Sequence, residues 1–343
     1  MRRIGICRAL DGLRFLNDWE PFLAGLGLDV VVSRPTDRAM IEAGAALAPA
    51  ELCLPAKVFL GHALSIADQV DLLFVPRLVC RRMTGPDGRQ DLFFGCPKAM
   101  ALPDMVRALL PDLPPMVEFV LDERERSEEA AYREVAKKLG RGQGRSDKSE
   151  VGGRKSQVRY QKSGVTGRMT GVRGLVSDGG CQTDEGGCQK NEFASATLEP
   201  LSPFRVGVVG HGYLVDDVTL SVGLLTKLRA VGAEPVRDST APALGGPAFV
   251  PNWMFEQELI ESALRLAGDG TVGGLVLATS FACGTSAVTN ELIRRAVAHS
   301  RPGLPVLSVV FDEHTAEAGL VTRLESFLDL IQMRGTRAKR VAE

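Results

Sequence analysis

The sequence predicts an α/β protein with two lobes, each built on an open parallel sheet, and a crevice between the lobes. Strand-like apolar runs alternate with helical segments over residues 1–139 and again over residues 201–343. Such alternation is typical of parallel βαβ units. Residues 140–200 carry no periodic pattern. We therefore expect two α/β domains, at 1–139 and 201–343, separated by an insertion or linker at 140–200.

Each predicted element depends on the period of its apolar residues, which is two in a strand and about 3.6 in a helix. Continuous apolar runs such as 71–76 fit strands buried on both faces. In chain order, the first lobe contains strand 3–6, helix 13–26, strand 28–33, helix 55–69, strands 71–76, 92–94 and 115–120, and the polar helix 123–139. The second lobe contains strand 205–209, helix 215–231, strand 234–237, helix 256–267, strand 274–279, helix 284–299, strand 304–311 and helix 316–333.

Composition and charge narrow the class of protein. The 343 residues, 45% of them hydrophobic, suffice for two cores. A net charge of −1 gives no general attraction to nucleic acid or membranes. No apolar run approaches the roughly 20 residues of a membrane span, and no signal peptide is evident. Seven cysteines, an odd number, argue against a disulfide framework. We expect a cytoplasmic protein with free thiols, no membrane association and no nucleic-acid partner.

The region 140–200 is rich in Gly, Ser, Gln, Lys and Arg. Such a composition buries too little apolar surface to offset the entropy of ordering it. It is either a solvated tether or a basic arm for an acidic partner or nucleic acid. Cys181 and Cys188, near its end, match no common zinc-site spacing.

Replacing residues 142–195 with a short Gly/Ser linker should leave the melting temperature nearly unchanged. Long surface loops cost only about 0.6 kcal/mol of closure entropy per doubling of length. The measurement is thermal unfolding of the two proteins, and a large drop for the shortened chain would show that the segment packs on a lobe.

Three cysteines, Cys53, Cys96 and Cys283, each precede a helix-like run with Pro or Gly near its start. Backbone N–H groups and the helix dipole favour a thiolate there, and a thiolate is what a metal ligand must be. We expect all three at strand-to-helix turns, the sheet edge where ligands bind. They suggest an iron–sulfur or other metal site. Cys7 and Cys80 are expected to be packing thiols.

Each of the other candidate site residues has two possible interpretations. Lys57, one helical turn after Cys53, either balances negative charge at a cluster or is a solvated lysine. His62 is either a site residue or a buried histidine with its hydrogen bonds satisfied. Gly210 and His211 lie in a Gly-His-Gly turn after a strand, which either begins a dinucleotide fingerprint or lines the crevice.

The stretch Asp312-Glu313-His314-Thr315 ends a strand. Its ionisable groups, among them Glu313 and His314, could supply an acid/base pair, a proton relay or a ligand. Alternatively, Asp312 or Thr315 caps the helix that follows.

Together these stretches resemble the acyl-CoA dehydratase activase-related proteins, which are related to the 2-hydroxyacyl-CoA dehydratase subunits. The resemblance rests on residues 4–10, 51–62, 73–77, 96–104, 210–213 and 312–325. It implies two Rossmann-like lobes around an iron–sulfur cluster, most simply 4Fe–4S, held by Cys53, Cys96 and Cys283. It also implies an ATP-dependent activase or a sister cluster subunit as partner.

Three functions therefore compete. The first is low-potential electron transfer, or radical reduction or dehydration of an acyl-CoA or similar small molecule. This function would make the protein a dehydratase-like lyase or a reductase component. The catalytic candidates are Lys57, Glu313 and His314. The residues expected near the cofactor are Lys57, His62, Gly210 and His211. The second is a non-catalytic cluster scaffold or assembly partner. The third is a zinc-stabilised bilobal binding protein.

Overall fold

The structure is a computed structural model that describes residues 1–85, 88, 90–140, 204–246 and 250–342. Nearly all of the predicted insertion, with Cys181 and Cys188, lies outside the described residues.

The first lobe follows the predicted alternation of strands and helices. Its elements are β1 (Arg3–Ile6), α1 (Asp11–Gly25), β2 (Asp29–Val32), α2 (Arg38–Leu47), α3 (Leu54–Ile66), β3 (Leu72–Thr84), β4 (Gln90–Phe94), α4 (Pro97–Met100), α5 (Leu102–Leu109), β5 (Met116–Asp122) and α6 (Glu128–Lys138). Strands β2, β1, β3 and β5 are parallel, with β1 between β2 and β3, and β3 paired with β5. The predicted parallel sheet is confirmed for these strands.

Strand β3 continues well beyond its predicted end at residue 76 and forms a hairpin with β4. Its last residues, Cys80–Thr84, pair antiparallel with β4. The hairpin was not predicted because Pro76 and the arginines after it resemble the end of a strand. It carries the chain from β3 to Cys96, just after β4.

The second lobe is a parallel sheet of four strands in the order β7-β6-β8-β9. Its elements are β6 (Phe204–Val209), α7 (Gly212–Val215), α8 (Leu224–Ala230), β7 (Ala233–Val236), α9 (Glu256–Gly268), β8 (Val272–Ser280), α10 (Gly284–Ser300), β9 (Val306–Phe311) and α11 (Glu317–Ala342). The order places the third strand in sequence beside the first, as in doubly wound folds. Two Rossmann-like lobes are therefore confirmed.

The helix prediction over 215–231 is wrong, and the helix prediction also omits α2. The single helix predicted over 215–231 is two helices, because the Asp217 side chain accepts hydrogen bonds from the backbone N–H groups of Thr219 and Leu220, which favours a turn. Val222 and Gly223 then take positive φ angles of 50° and 68°. Helix α2 was not predicted. The Asp37 carboxylate caps it by accepting from Met40 N at 2.9 Å.

One buried apolar cluster runs through both lobes. It contains Leu54 and Phe59 of α3 together with Val208 of β6 and Phe311 of β9. Since the lobes share this core, the elements that border the crevice are packed against each other.

Helices α2 and α3 approach so closely that only glycine fits at two facing positions. A Cβ atom on Gly61 would lie 1.9 Å from the carbonyl oxygen of Met40, and one on Gly44 would lie 1.8 Å from that of Lys57. Both obstacles are backbone atoms, which cannot rotate away. The contact fixes α3, the helix that begins after Cys53.

Gly61→Ala should therefore destabilise the protein by about 1–3 kcal/mol, the usual cost of overpacking. Gly25→Ala in α1 is the matched control, because no atom lies within 4 Å of a Cβ there. That variant should be neutral or slightly more stable. Denaturant unfolding measures both free energies, and equal stability of the two variants would refute the close-contact explanation.

Among the residues that the structure describes, no helix combines the length and apolar character needed to cross a membrane.

Candidate functional site

A cavity of about 240 Å³ lies between the lobes, at the carboxyl ends of several strands. Leu10 follows β1, Cys96 follows β4, His211 follows β6 and Cys283 follows β8, and all four line it. This is the edge at which open α/β sheets bind ligands.

The cavity brings together the three cysteines singled out in the sequence. Cys53, Cys96 and Cys283 all line it, although they come from distant parts of the chain. Tyr213 also lines the cavity, and all three thiols act electrostatically on its hydroxyl group. Burial raises its pKa well above the ordinary value, and Cys283, Cys53 and Cys96 each add to the rise.

Each of the three cysteines precedes the first residue of a helix, as predicted. They are the N-caps of α3, α4 and α10. The expectation that all three follow a strand is wrong for Cys53. That residue follows α2 and a short loop, because the apolar run before it forms a helix rather than a strand.

Hydrogen bonds orient two of the sulfur atoms. Cys96 Sγ accepts from Ala99 N at 3.3 Å, and the Cys283 thiol donates to Ser286 Oγ at 3.1 Å. Cys53 is 7% exposed, and burial raises its pKa. The backbone N–H of Ala56 and the charge of Lys98 oppose that rise.

Lys98 connects the three cysteine loops. It lies two residues after Cys96, and its Nζ donates to the carbonyl oxygens of Glu51 at 3.1 Å and Ala282 at 2.8 Å. Glu51 and Ala282 lie just before Cys53 and Cys283. One ammonium group thus links the segments that carry all three thiols and places a positive charge in the cavity wall.

Two residues of the cavity wall have unfavourable backbone conformations. Leu10 has a φ of 49° and Ala282 a φ of 58°, and both side chains line the cavity. Non-glycine residues in this region are held there by their surroundings and cluster at functional sites. Ala282 immediately precedes Cys283, so its conformation directs that thiol.

A buried polar group that the sequence analysis missed faces the cysteines. Glu256, the first residue of α9, is 2% exposed and lines the cavity. Its Oε1 accepts from Ser286 Oγ at 3.1 Å and lies 3.1 Å from His211 Nε2. The His211 ring stacks on Tyr213, with the ring centres 4.9 Å apart. In the sequence, Glu256 resembles any acidic residue of a first helical turn, so no local signal marks it.

The remaining wall is largely apolar and aromatic. Phe94, Trp253, Met254 and Phe255 line it. The second-lobe segment that contains Met254 is bound to the first lobe by backbone hydrogen bonds, from Phe94 N to Asn252 O at 2.8 Å and from Met254 N to Phe94 O at 2.9 Å. These bonds close one side of the cavity.

Lys57 lies in a buried ion pair rather than over the Cys53 sulfur. Its Nζ is 2.7 Å from Glu313 Oε1, and its side chain is 3% exposed, so it is not a solvated lysine. Arg38 also donates to the Glu313 carbonyl oxygen, at 2.8 Å. Lys57 and Glu313 thus connect α3 to the loop after β9, and neither is among the residues that line the cavity.

His62 is completely buried in a separate polar network. Its Nδ1 lies 2.8 Å from Ser33 Oγ and its Nε2 lies 3.0 Å from Thr36 Oγ1. Thr36 in turn donates to Asp217 of the second lobe. Burial lowers the pKa of His62 to about 4. These contacts favour the structural interpretation of a buried histidine.

Gly210 and His314, two further predicted site residues, are also not among the residues that line the cavity. Gly210 is buried beneath the turn, and a Cβ there would lie 2.7 Å from the carbonyl oxygen of Ala278. His314 is exposed, and its backbone N–H donates to Asp312 Oδ1 at 2.9 Å. Thr315 Oγ1 also donates to Asp312, so these bonds form a local turn before α11.

The candidate donor set consists of three cysteine thiols from distant parts of the chain. In the described residues, no group of three or more His, Cys, Asp or Glu side chains is arranged to hold one metal ion. Three cysteine thiols in one cavity are the ligand type that iron–sulfur clusters use.

Comparison with known protein families identifies a match. A family model described as CoA enzyme activase uncharacterised domain (DUF2229) matches residues 3–239, more than half of the chain. The matched range contains Cys53, Cys96 and His211 and ends before Cys283. No curated protein matches the sequence.

Proposed function

Because the chain belongs to the CoA enzyme activase uncharacterised domain family, we propose that it is an iron–sulfur protein of the dehydratase and activase system. Membership agrees with the resemblance to acyl-CoA dehydratase activase-related proteins drawn from the sequence motifs. The proposed activity is low-potential electron transfer, or radical reduction or dehydration of an acyl-CoA or similar small molecule.

The observation that carries the proposal is the meeting of Cys53, Cys96 and Cys283 in one cavity between two lobes. These residues would hold the cluster, with two thiols from the first lobe and one from the second. When bound, such a cluster would supply or accept single electrons. Thiolates bind metal, so loading releases protons. The positive charge of Lys98 favours that ionisation at Cys53.

The residues around the thiols define what else the site can do. The apolar wall of Phe94, Trp253 and Phe255 excludes water from one side. His211, held at Nε2 by Glu256 and Ser286, lines the cavity and is the residue that we propose as its general acid or base. Because the cavity is smaller than the roughly 300–1,000 Å³ of typical ligand pockets, only a small molecule or the reacting end of a larger one would enter.

The test is reduction of the full-length protein purified without oxygen. Stepwise addition of a low-potential reductant should bleach the visible absorption and produce a paramagnetic signal, followed by electron paramagnetic resonance. A protein that retains iron but cannot be reduced would contradict the proposed electron transfer. An electron-donating partner, which we propose is an ATP-dependent activase, should replace the chemical reductant.

A further inference from the structure

We propose that Glu256 is a fixed negative charge that lowers the reduction potential of the cysteine site, with His211 and Ser286 as the residues that hold it in position. This inference rests on the proposed iron–sulfur function and names a residue that tunes it.

The position of Glu256 requires an explanation because burying a carboxylate is costly. The residue is 2% exposed, yet the side chains that hydrogen-bond to it, among them His211 and Ser286, belong to the same lobe. It therefore does not join the lobes, as Lys57 and Glu313 do. What it does face is the cavity that contains the three thiols.

The surrounding groups keep the carboxylate charged. Burial alone would raise the pKa of Glu256, but the hydrogen bond and charge of His211 and the hydrogen bonds of Thr285 and Thr289 together outweigh it and lower the pKa. The other charged or titratable groups of the cavity wall are Lys98, Tyr213 and the three cysteines.

The charge is close to one of the sulfurs. Cys283 Sγ is 3.1 Å from Ser286 Oγ, which is 3.1 Å from Glu256 Oε1, so two hydrogen bonds separate the carboxylate from the thiol. In a buried site, charges interact with little screening. A nearby negative charge opposes the arrival of an electron, and net charge and hydrogen bonding are among the factors that set cluster potentials.

The experiment is a redox titration of the iron-loaded, full-length protein and matched variants. Glu256→Gln keeps the shape and removes the charge, and it should favour reduction by about tenfold, a rise of about 59 mV for a one-electron couple. Glu258→Gln, on the same helix but in an exposed pair with Arg14, is the control and should leave the potential unchanged.

A second isosteric pair separates charge from structure. Glu256→Asp and Glu256→Asn shorten the side chain equally, and only the second removes the charge. The Asn variant should be easier to reduce than the Asp variant, even if Glu256→Gln loses its iron. Equal potentials within the pair would overturn the inference while leaving the iron–sulfur proposal intact. A wild-type protein that never contains iron would overturn both.

Discussion

Cys283→Ala should remove most of the bound iron from the protein. Cys283 would be the one ligand from the second lobe, beside Cys53 and Cys96 of the first. With only two cysteines left, a cluster is rarely retained. Cys53→Ala and Cys96→Ala should have the same effect. Iron and sulfide content of anaerobically prepared variants, together with their visible absorption, measures the loss.

Cys7→Ala and Cys80→Ala are the matched controls for that experiment. Both thiols are buried outside the cavity lining. Burial raises the pKa of each, so neither is prepared to act as a thiolate ligand. Both variants should keep their iron. Full retention in Cys283→Ala would refute a site shared by the two lobes, and iron loss in Cys80→Ala would mean that the ligand set is different.

Lys57→Met should lower the free energy of unfolding by about 3 kcal/mol. Breaking a buried ion pair leaves one charge without its partner, which typically costs about 3–5 kcal/mol. We expect the lower end because Glu313 is 18% exposed. Lys227→Met is the control. Lys227 pairs with Glu317, whose side chain is 72% exposed, and such pairs contribute about 1 kcal/mol or less.

The same variant has a predictable pH dependence. Burial alone would raise the pKa of Glu313, but the hydrogen bond from Lys57, a backbone hydrogen bond and the charges of Lys57 and His314 together outweigh it and hold the pKa below its ordinary value. A lowered folded-state pKa stabilises the protein above about pH 4.3, the ordinary value for glutamate, and this contribution is lost as the pH falls through the folded pKa. The difference in the free energy of unfolding between the wild type and Lys57→Met should therefore become smaller at acidic pH.

A double variant separates the charge from the packing. Lys57→Met combined with Glu313→Leu should recover most of the lost stability, because replacing both members of a buried pair is often neutral. Denaturant unfolding of the wild type, the two single variants and the double variant gives the coupling energy between Lys57 and Glu313. A single Lys57→Met variant as stable as the wild type would refute the buried pair.

The fold could be predicted from the sequence where local periodicity decides the structure. The predicted strand at 3–6 coincides with β1, and the predicted helix at 284–299 differs from α10 by one residue. The secondary-structure predictions failed where contacts of distant residues, or the conformation of a single turn, determine the structure. The helix expected over 215–231 is interrupted by the hydrogen bonds of Asp217 and the positive φ of Val222 and Gly223.

The candidate site was only partly predictable for a related reason. Cys53, Cys96 and Cys283 could be selected because each begins a helix, and that is a local signal. For Lys57, helical spacing indicates its position one turn after Cys53 but not its ion-pair partner Glu313, which lies on the other lobe. Glu256 has no local signal at all, since its burial depends on the approach of α9 to the cavity.

The most direct test of a cluster site between the lobes is the metal content of the full-length protein purified without oxygen. Iron, acid-labile sulfide and zinc should be measured per chain in the same sample. The proposed site predicts iron and sulfide in equal amounts, both of which fall together in Cys53→Ala, Cys96→Ala and Cys283→Ala. Zinc without sulfide, or iron that survives all three substitutions, would contradict it.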